Sequence, residues 1–317
     1  MKALVAPAPL KGVLGARDAA AALAAGLRDV GVEGDECPVA DGGEGTAEAL
    51  RAALGGEWRE AVVADPLGRP VAVRWLELPD GSAVVEAAEA IGLPRLAEAE
   101  RDPLRASSRG LGELILATGG RRLLVCLGGT ATVDGGRGLR EVLSALPAGT
   151  RVACDVASPL LDAARLFARQ KGADDAAAAE LERRLAADET LGPFAELPGA
   201  GAAGGLGAAL AALGAELVPG AALVLDAVGF DDRIAGASLV VTGEGTVDGT
   251  TREGKAPAEV ARRAAACGKP CVVFGGIVVE PFPGAETIAL SGDPAGARDD
   301  LRELGAGLGA RLLDASR

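Results

Sequence analysis

The chain has 317 residues, of which 49% are hydrophobic, and it carries a formal net charge of −13. This length is enough to bury a substantial core, and it predicts two domains rather than one. The acidic balance argues against a nucleic-acid or anionic-membrane surface, so an enzyme that handles anions here must gather local positive charge or a divalent cation. The chain has no histidine, which excludes Ser-His-Asp catalysis and the ordinary zinc-hydrolase ligand sets.

The cysteines and the longest uncharged segment indicate the compartment in which the protein works. The cysteines are odd in number and scattered, with no C-x-x-C pair: Cys37, Cys126, Cys154, Cys267 and Cys271. We interpret them as small core residues in a reducing compartment. Residues 197–215 lack charge but are mostly Gly and Ala, too weakly apolar to enter a membrane alone. Since no signal-peptide pattern is present, we expect a soluble, cytoplasmic protein.

The first half of the chain changes its hydrophobic period. The early elements alternate as strand (2–6), helix (16–27), strand (36–39) and helix (46–54), which predicts a parallel, doubly wound sheet. From residue 58 to residue 86 the sequence alternates with period two, with turns at 66–68 and 79–81. This pattern predicts antiparallel hairpins, which we take as the start of a second domain inserted into the first.

The second half returns to strands and helices in alternation. The predicted elements are helix 107–117, strand 122–127, strand 151–156, helical segments within 158–190, strand 239–241, a helix after 257, strands 271–274 and 287–290, and helix 295–314. The predicted fold class is therefore α/β, with a discontinuous, Rossmann-like, mainly parallel sheet and an inserted second α/β domain containing hairpins. The predicted domains are 1–57 with 105–145 and 235–317 (Rossmann-like), and 58–104 with 146–234 (inserted).

Carboxylates recur in glycine-rich turns after three predicted strands, which end near residues 40, 128 and 242. The carboxylates are Asp41, Glu44, Asp134, Glu244 and Asp248. Because the carboxyl ends of parallel strands meet at one edge of a sheet, these groups would repel one another without a cation. Magnesium together with substrate phosphates meets that need, and Lys11, Lys171 and Lys255 could supply further positive charge. For each carboxylate taken singly, the alternative is a turn or capping role.

Two glycine patterns imitate nucleotide motifs. Gly249, Gly254 and Lys255 fit G-x-x-x-x-G-K, but Ala256 occupies the Ser/Thr position of a phosphate loop; the alternative is a strand-to-helix loop with solvated charges. Residues 199–204 spell G-x-G-x-x-G, but Pro198 precedes them and no convincing strand does. A dehydrogenase that binds NAD there is disfavoured, and we expect instead a tight backbone approach to a ligand or a close helix contact.

Eight motifs occur in one order along the chain. They are A-P-x-x-x-K-G (6–12), V-A-D-G-G-E-G-T (39–46), D-P-L-G-R-P (65–70), G-G-T-A-T-V-D-G-G (128–136), V-A-C-D-V (152–156), Q-K-G-A (170–173), G-A-G-A-A-G-G-L-G (199–207) and T-G-E-G-T-V-D-G with G-K-A-P (242–257). In this order the chain resembles the type I glycerate kinase family, from residue 3 to about residue 275.

The resemblance implies a magnesium-assisted kinase that transfers phosphate from ATP to a hydroxyl of D-glycerate, or of a closely similar hydroxy acid, giving phosphoglycerate. It implies two α/β domains with the site in the cleft between them, small-molecule substrates, and a homodimer if the chain assembles. We assign catalytic roles to Asp134 (as the acceptor base), Lys11 and Asp155, although spacing does not decide which aspartate does what. The metal would be bound by Asp41, Glu44 and Asp248. Substrate or nucleotide would be bound by Arg69, Gly128, Gly129, Thr130, Lys171, Gly204, Gly205, Gly243, Glu244 and Lys255.

Four positions depart from the family's usual residues. Ala8 stands in A-P-L-K-G where the family reads D-S-F-K-G, Val133 and Ser158 stand where asparagine is usual, and Thr246 stands where arginine is common. The segment between Gly136 and Val152 is also shorter than the family's. A polar partner left unpaired in a buried site costs about 1–3 kcal/mol, or roughly tenfold to a hundredfold in rate. The alternative is therefore that the protein is a catalytically impaired relative of these kinases, which binds a nucleotide or a small acid without turnover.

Overall fold

The computed structural model describes residues 1–252 and 254–315. The chain forms two compact units. Unit 1 comprises Met1–Asp41, Glu48–Leu54 and Ala221–Arg317, and unit 2 comprises Gly42–Ala47 and Gly55–Gly220. In the described part of the chain, no helix is both long enough and apolar enough to cross a membrane.

Unit 1 is built on a five-stranded sheet in which every neighbouring pair is parallel. Its strands, numbered along the whole chain, are β1 (Lys2–Val5), β2 (Glu33–Glu36), β9 (Leu239–Val247), β10 (Cys271–Val278) and β11 (Glu286–Ala289). The spatial order is β11-β10-β9-β1-β2. From β1 the chain continues to one side and from β9 to the other, so the strand order reverses between these two strands. That reversal is the topological switch point at which doubly wound sheets bind ligands.

The helices of unit 1 flank this sheet. They are α1 (Ala16–Asp29), α2 (Thr46–Leu54, whose first two residues belong to unit 2), α9 (Gly220–Ala227, whose first residue belongs to unit 2), α10 (Phe230–Ala235), α11 (Ala256–Ala266) and α12 (Ala297–Ala315). Helices α1 and α12 pack at backbone contact: a Cβ on Gly26 would lie 1.8 Å from the Arg302 carbonyl oxygen, and one on Gly305 would lie 2.2 Å from that of Leu23. Only glycine fits at these two positions.

Unit 2 has a six-stranded mixed sheet in the order β3-β4-β5-β6-β7-β8. The strands are β3 (Glu57–Ala64), β4 (Pro70–Glu77), β5 (Ala83–Glu86), β6 (Leu123–Cys126), β7 (Arg151–Cys154) and β8 (Glu216–Pro219). The β3–β4 and β4–β5 pairs are antiparallel, which confirms the two predicted hairpins. The remaining pairs are parallel.

Six helices belong to unit 2: α3 (Ala87–Ile91), α4 (Arg109–Ala117), α5 (Arg137–Val142), α6 (Asp162–Phe167), α7 (Asp175–Ala186) and α8 (Ala202–Ala212). Short 3-10 turns lie at Leu93–Arg95, Glu98–Glu100, Arg169–Lys171 and Gly192–Phe194, and unit 1 has one at Gly249–Arg252. The core of the unit packs apolar residues of the strands against α4 and α8, with Leu111 and Leu206 fully buried.

The α/β fold class is confirmed, and several details differ from the prediction. Strand β2 covers Glu33–Glu36 rather than 36–39, because the polar segment E-G-D-E pairs through its main chain with β1. Strand β9 runs on to Val247, so Gly243 and Glu244 lie in a strand rather than in a turn. Residues 105–145, predicted with the Rossmann-like domain, lie in unit 2, since β6 pairs with β5 and β7.

None of the five cysteines forms a disulfide. Cys37, Cys126 and Cys154 are buried, as expected of small core residues, and Cys271 is half-buried. Cys267 is exposed, and for this residue the predicted core position is wrong. It follows α11 directly, and its backbone N–H caps that helix.

Candidate active site

Unit 1 carries a buried carboxylate on β9. Glu244 is 9% exposed, and its Oε2 lies 3.5 Å from the Lys255 Nζ at the start of α11. Its Oε1 is buried and has no hydrogen-bond partner within the described residues. Burial raises the pKa of Glu244, and the nearby charge of Asp41 raises it further, while Thr251 and Lys255 act in the opposite direction. The structure thus brings Asp41, Glu244 and Lys255 into one electrostatic neighbourhood.

Asp248, by contrast, is engaged in its own turn. Its Oδ1 accepts hydrogen bonds from the Thr250 backbone N–H at 2.8 Å and from the Thr250 hydroxyl at 2.6 Å. The hydroxyl bond is the main cause that lowers the pKa of Asp248. The turn role that we weighed for single carboxylates therefore describes Asp248 well. The loop between β9 and α11 also contains Glu253, which lies outside the described residues.

The predicted metal set is not assembled as one cluster. Glu44 belongs to unit 2, whereas Asp41 and Asp248 belong to unit 1. Within residues 1–252 and 254–315, no group of three or more His, Cys, Asp or Glu side chains is placed to hold a metal ion. Asp41 and Glu244 are the neighbouring acidic pair in unit 1.

Lys11 lies in the loop after β1. It lines a cavity of about 200 Å³ together with Gly245 and Thr246 of β9. Gly243, two residues earlier on β9, faces the neighbouring strand: a Cβ there would lie 2.2 Å from the Phe274 carbonyl oxygen. The absence of a side chain at Gly243 therefore serves strand packing rather than close approach of a ligand.

In unit 2 the loops that follow β2 and β6 meet. A Cβ on Gly128 would lie 2.5 Å from the Gly43 Cα, so only glycine allows this approach. A Cβ on Gly129 would lie 3.5 Å from the Glu44 Oε2. Loop 42–47 and loop 128–130 are thus in direct backbone contact, although β2 and β6 belong to different sheets.

Lys171 is buried beneath the second of these loops. It is 4% exposed, and its Nζ donates to the Thr130 Oγ1 at 3.1 Å and to the Thr132 carbonyl oxygen at 2.8 Å. Burial lowers the pKa of Lys171 to about 7, while the charge of Asp134 acts in the opposite direction. Lys171 therefore lies beside Thr130, and its two hydrogen bonds hold residues 130–132 of the loop in place.

The 199–207 glycine motif approaches the same loop closely. Ala203, Gly204 and Gly205 have positive φ angles of 52°, 73° and 92°. A Cβ on Gly204 would lie 2.2 Å from the Thr132 carbonyl oxygen, and the Gly204 carbonyl oxygen accepts from the Gly135 N–H at 3.1 Å. The tight approach of this segment is to the protein's own backbone at Thr132, and its approach to a ligand stays a prediction.

Asp134 uses both of its oxygens within the fold. Its Oδ2 accepts from the Ser108 N–H at 2.9 Å, the Ser108 hydroxyl at 2.8 Å and the Gly138 N–H at 3.1 Å. Its Oδ1 accepts from the Gly136 N–H at 3.1 Å. These bonds satisfy free N–H groups at the starts of α4 and α5. The geometry favours a structural role for Asp134 over that of an acceptor base, since four donors already occupy its lone pairs.

Two further predicted residues lie elsewhere in unit 2. Arg69 donates from Nη1 to the Glu100 Oε1 at 2.7 Å and from Nε to the Asp65 Oδ2 at 2.5 Å. Its guanidinium therefore links the 65–69 turn to the 3-10 turn at Glu98–Glu100. Asp155 follows β7 directly and is half-buried.

Sequence reasoning missed Glu86. This residue ends β5, is 8% exposed, and its Oε1 accepts from the Ala47 N–H at 2.7 Å. Burial raises the pKa of Glu86 to about 7, and Glu89 and Glu44 raise it further against backbone donors that include Gly45. The signal is present, since Glu86 ends the apolar run of residues 83–85. The alternating pattern indicates only the antiparallel pairing of β5 with β4 and not its parallel pairing with β6.

Comparison with known proteins decides the family. The model of the glycerate kinase family matches residues 3–149 and 147–290. The chain belongs to the glycerate kinase family. Among its relatives are glycerate 2-kinase of Escherichia coli K12, 38% identical over 88% of this chain and 86% of the relative, and glycerate kinase of Bacillus subtilis 168, 37% identical over 88% and 85%.

The fold agrees with this membership. A crystal structure of a protein assigned as glycerate kinase 2 from Salmonella typhimurium LT2 superposes with a TM-score of 0.84 at 32% identity, covering 100% of this chain and 99% of that one. The protein is thus a kinase-type phosphotransferase of the glycerate kinase family, as predicted from its eight motifs.

The structure accounts for one of the four departures from the family pattern. Val133 is 1% exposed and packs among Leu160, Leu181 and Leu185 in an apolar cluster. A valine there needs no polar partner. Ser158 behaves differently, because its hydroxyl is buried and unpaired in the described structure.

Proposed function

We propose that this member of the glycerate kinase family transfers the terminal phosphate of ATP to a hydroxyl of D-glycerate, with Mg²⁺ assisting. Its match to the family model from residue 3 to residue 290 carries the proposal. The name of the E. coli relative, glycerate 2-kinase, favours the 2-hydroxyl as the acceptor. We propose that units 1 and 2 are the Rossmann-like and inserted domains of this kinase, and that it works in the cytoplasm.

The side chains of unit 1 suit phosphoryl transfer. This reaction depends on positioning the reactants and on neutralising the negative charge of the phosphates. Lys255 lies at the N-terminus of α11, where the helix dipole also favours an anion, and Lys11 lies at the same carboxyl edge of the sheet. We propose these two lysines as the phosphate-binding cations, with Lys171 holding loop 130–132 in place.

The acidic pair of unit 1 fits magnesium. The buried Oε1 of Glu244 lacks a partner among the described residues, and Asp41 adds a second negative charge nearby. Magnesium in kinases is bound through one or two carboxylates together with substrate phosphates, so a cluster of three is not required. When bound, the ion would neutralise charge on the phosphates. The proton of the acceptor hydroxyl needs a base outside this pair. Asp134 was predicted for that role, but its oxygens accept four hydrogen bonds within the fold, so we propose Asp155, the other aspartate predicted to be catalytic, in its place.

A coupled assay of ADP release with D-glycerate, with and without Mg²⁺, tests the proposal. We expect magnesium-dependent turnover, loss of at least tenfold in kcat/KM for Lys255→Met, and little change for Lys269→Met. Lys269 is a matched control because it lies in the same unit and its Nζ is bonded to the Ala235 carbonyl oxygen. Phosphorus NMR of the product identifies the hydroxyl that is phosphorylated.

The alternative is a relative that binds without turnover. ATP or glycerate binding by calorimetry, combined with no ADP release from any small hydroxy acid, would establish it and refute the kinase proposal.

A further inference from the structure

A small cavity in unit 1 lies over the carboxyl ends of its parallel strands. It has a volume of about 200 Å³, and its walls come from the loop after β1, from β9, from β10 and from the segment after β11. Three glycines, Gly245, Gly276 and Gly292, line it together with apolar side chains that include Leu10, Ile277 and Leu290. Cavities that enclose a whole drug-sized ligand measure about 300–1,000 Å³, so this one accommodates only part of a nucleotide.

The charges around the cavity indicate what it can hold. One cation, Lys11, and two carboxylates, Asp293 and Asp300, line it. One oxygen of Asp293 accepts a hydrogen bond from the Ala295 N–H at 3.0 Å. One oxygen of Asp300 accepts from the Ser291 N–H, also at 3.0 Å. An anionic triose acid would face two negative charges and one positive charge here. A neutral heterocycle avoids this repulsion, and an amino group on it can donate to a carboxylate.

Two larger cavities among the described residues suit a nucleotide less well. One of about 740 Å³ is lined by Leu239, Cys271 and Glu286, the first residues of β9, β10 and β11, and so lies at the amino edge of the sheet. Ligands of doubly wound sheets bind at the opposite edge.

The other large cavity, of about 720 Å³, is in unit 2. Its arginines are already paired with carboxylates: Arg137 with Glu141, Arg140 with Asp188, and Arg184 with Glu180. These pairs leave its cations less available to phosphate than Lys11.

We propose that the 200 Å³ cavity is the slot for the nucleotide base, a purine bearing an exocyclic amino group, with Lys11 at its edge directed to the phosphates. This inference rests on the proposed function, since it assigns a place to the nucleotide of that reaction. Glycines on three segments of the wall leave room for a planar ring, and the position beside the β1–β9 switch point is where this sheet topology places ligands.

Gly245→Ala tests the slot directly. Its added Cβ would lie 3.5 Å from the Leu10 Cα and the Lys11 nitrogen, an ordinary contact that narrows the slot without a clash. We expect the KM for ATP to rise at least tenfold and the KM for glycerate to stay within twofold. Gly236→Ala is the matched control, because its Cβ would meet nothing within 4 Å. A KM for ATP unchanged in Gly245→Ala overturns the slot.

Binding measurements separate a failure of the slot from a failure of the kinase. Calorimetry with ATP, ITP (which lacks the amino group) and tripolyphosphate needs no turnover. We expect Gly245→Ala to weaken ATP at least tenfold and tripolyphosphate less than twofold, and wild type to bind ITP more weakly than ATP. Equal weakening of ATP and tripolyphosphate, or equal affinity for ATP and ITP, overturns the slot even in a working kinase. Should Gly245→Ala fail to fold, the wild-type comparison of ATP with ITP decides alone, since it needs no variant.

Discussion

Lys171 gives a stability prediction with a defined pH window. Burial lowers its pKa from 10.5 to about 7 in the folded protein. Between these two values the unfolded chain binds more protons than the folded chain, so the unfolding free energy rises with pH. Below pH 7 the destabilising effect of burying the charged ammonium is fully present, and above about pH 10.5 it is gone. From pH 7 to pH 9 the relief amounts to about 2 kcal/mol.

The comparison with Lys171→Met isolates this contribution. Burial raises the pKa of Cys37 from 9.0 to about 11 and of Cys154 and Cys271 from 9.0 to about 12, which makes stability fall from about pH 9 upward. These thiols are common to both proteins, so their effect cancels in the difference. We expect the stability of wild type relative to Lys171→Met to increase by about 2 kcal/mol between pH 7 and pH 9.

Urea unfolding monitored by tryptophan fluorescence measures the difference, since Trp58 and Trp75 lie in the same unit as Lys171. Lys269→Met is the control, because its side chain is only half-buried and donates to the Ala235 carbonyl oxygen, and its stability relative to wild type should not change with pH. The reasoning is refuted if the difference in unfolding free energy between wild type and Lys171→Met stays constant within about 0.5 kcal/mol across this range, the usual size of the effect of a surface substitution. A constant difference would show that burial does not lower the pKa of Lys171.

Three further predictions concern unit 2. Asp134→Ala removes the acceptor of four hydrogen bonds and should lower the unfolding free energy by about 2–4 kcal/mol in urea titrations; unchanged stability with complete loss of turnover would instead support a catalytic role. Glu86, with its pKa raised from 4.5 to about 7, makes stability fall as the pH rises through that window. Glu86→Gln should therefore gain about 3 kcal/mol relative to wild type between pH 4 and pH 8, whereas a parallel pH dependence of the two would contradict this. Gly204→Ala should lower stability by about 3 kcal/mol through steric clash and positive φ, against about 1 kcal/mol for the unhindered Gly214→Ala; equal losses would rule out the clash.

Sequence patterns predicted the elements whose signal is local. The helix predicted at 16–27 is α1 (Ala16–Asp29), and the alternation from residue 58 gave both hairpins. Strand β2 was displaced by three residues, because an edge strand made of E-G-D-E carries no apolar signal. The sheet to which β6 belongs depends on its partners β5 and β7, and no local pattern reveals strand partners.

The candidate site was predictable as a set of loops but not as a set of roles. Lys171 and Thr130 were both predicted to bind substrate or nucleotide, and the structure shows a hydrogen bond between them that the sequence did not indicate. Asp134 was assigned as the base, yet in the structure its carboxylate accepts hydrogen bonds at the starts of two helices. One of these donors, the Ser108 N–H, lies 26 residues away in sequence. A carboxylate in a turn looks the same in sequence whether its oxygens face solvent or backbone N–H groups. Only the fold distinguishes the two.

The pairing of β1 with β9 has a consequence for synthesis on the ribosome. Ala3 pairs with Leu239, so the central ladder of unit 1 cannot close until about three quarters of the 317-residue chain has been made. At about 5–20 residues per second, β1 waits roughly 10–50 s for its partner. Residues 55–220 of unit 2 are contiguous and emerge within that interval. We therefore expect unit 2 to fold first, and the apolar strand Lys2–Val5 to be the segment of the nascent chain most exposed to aggregation and to chaperones.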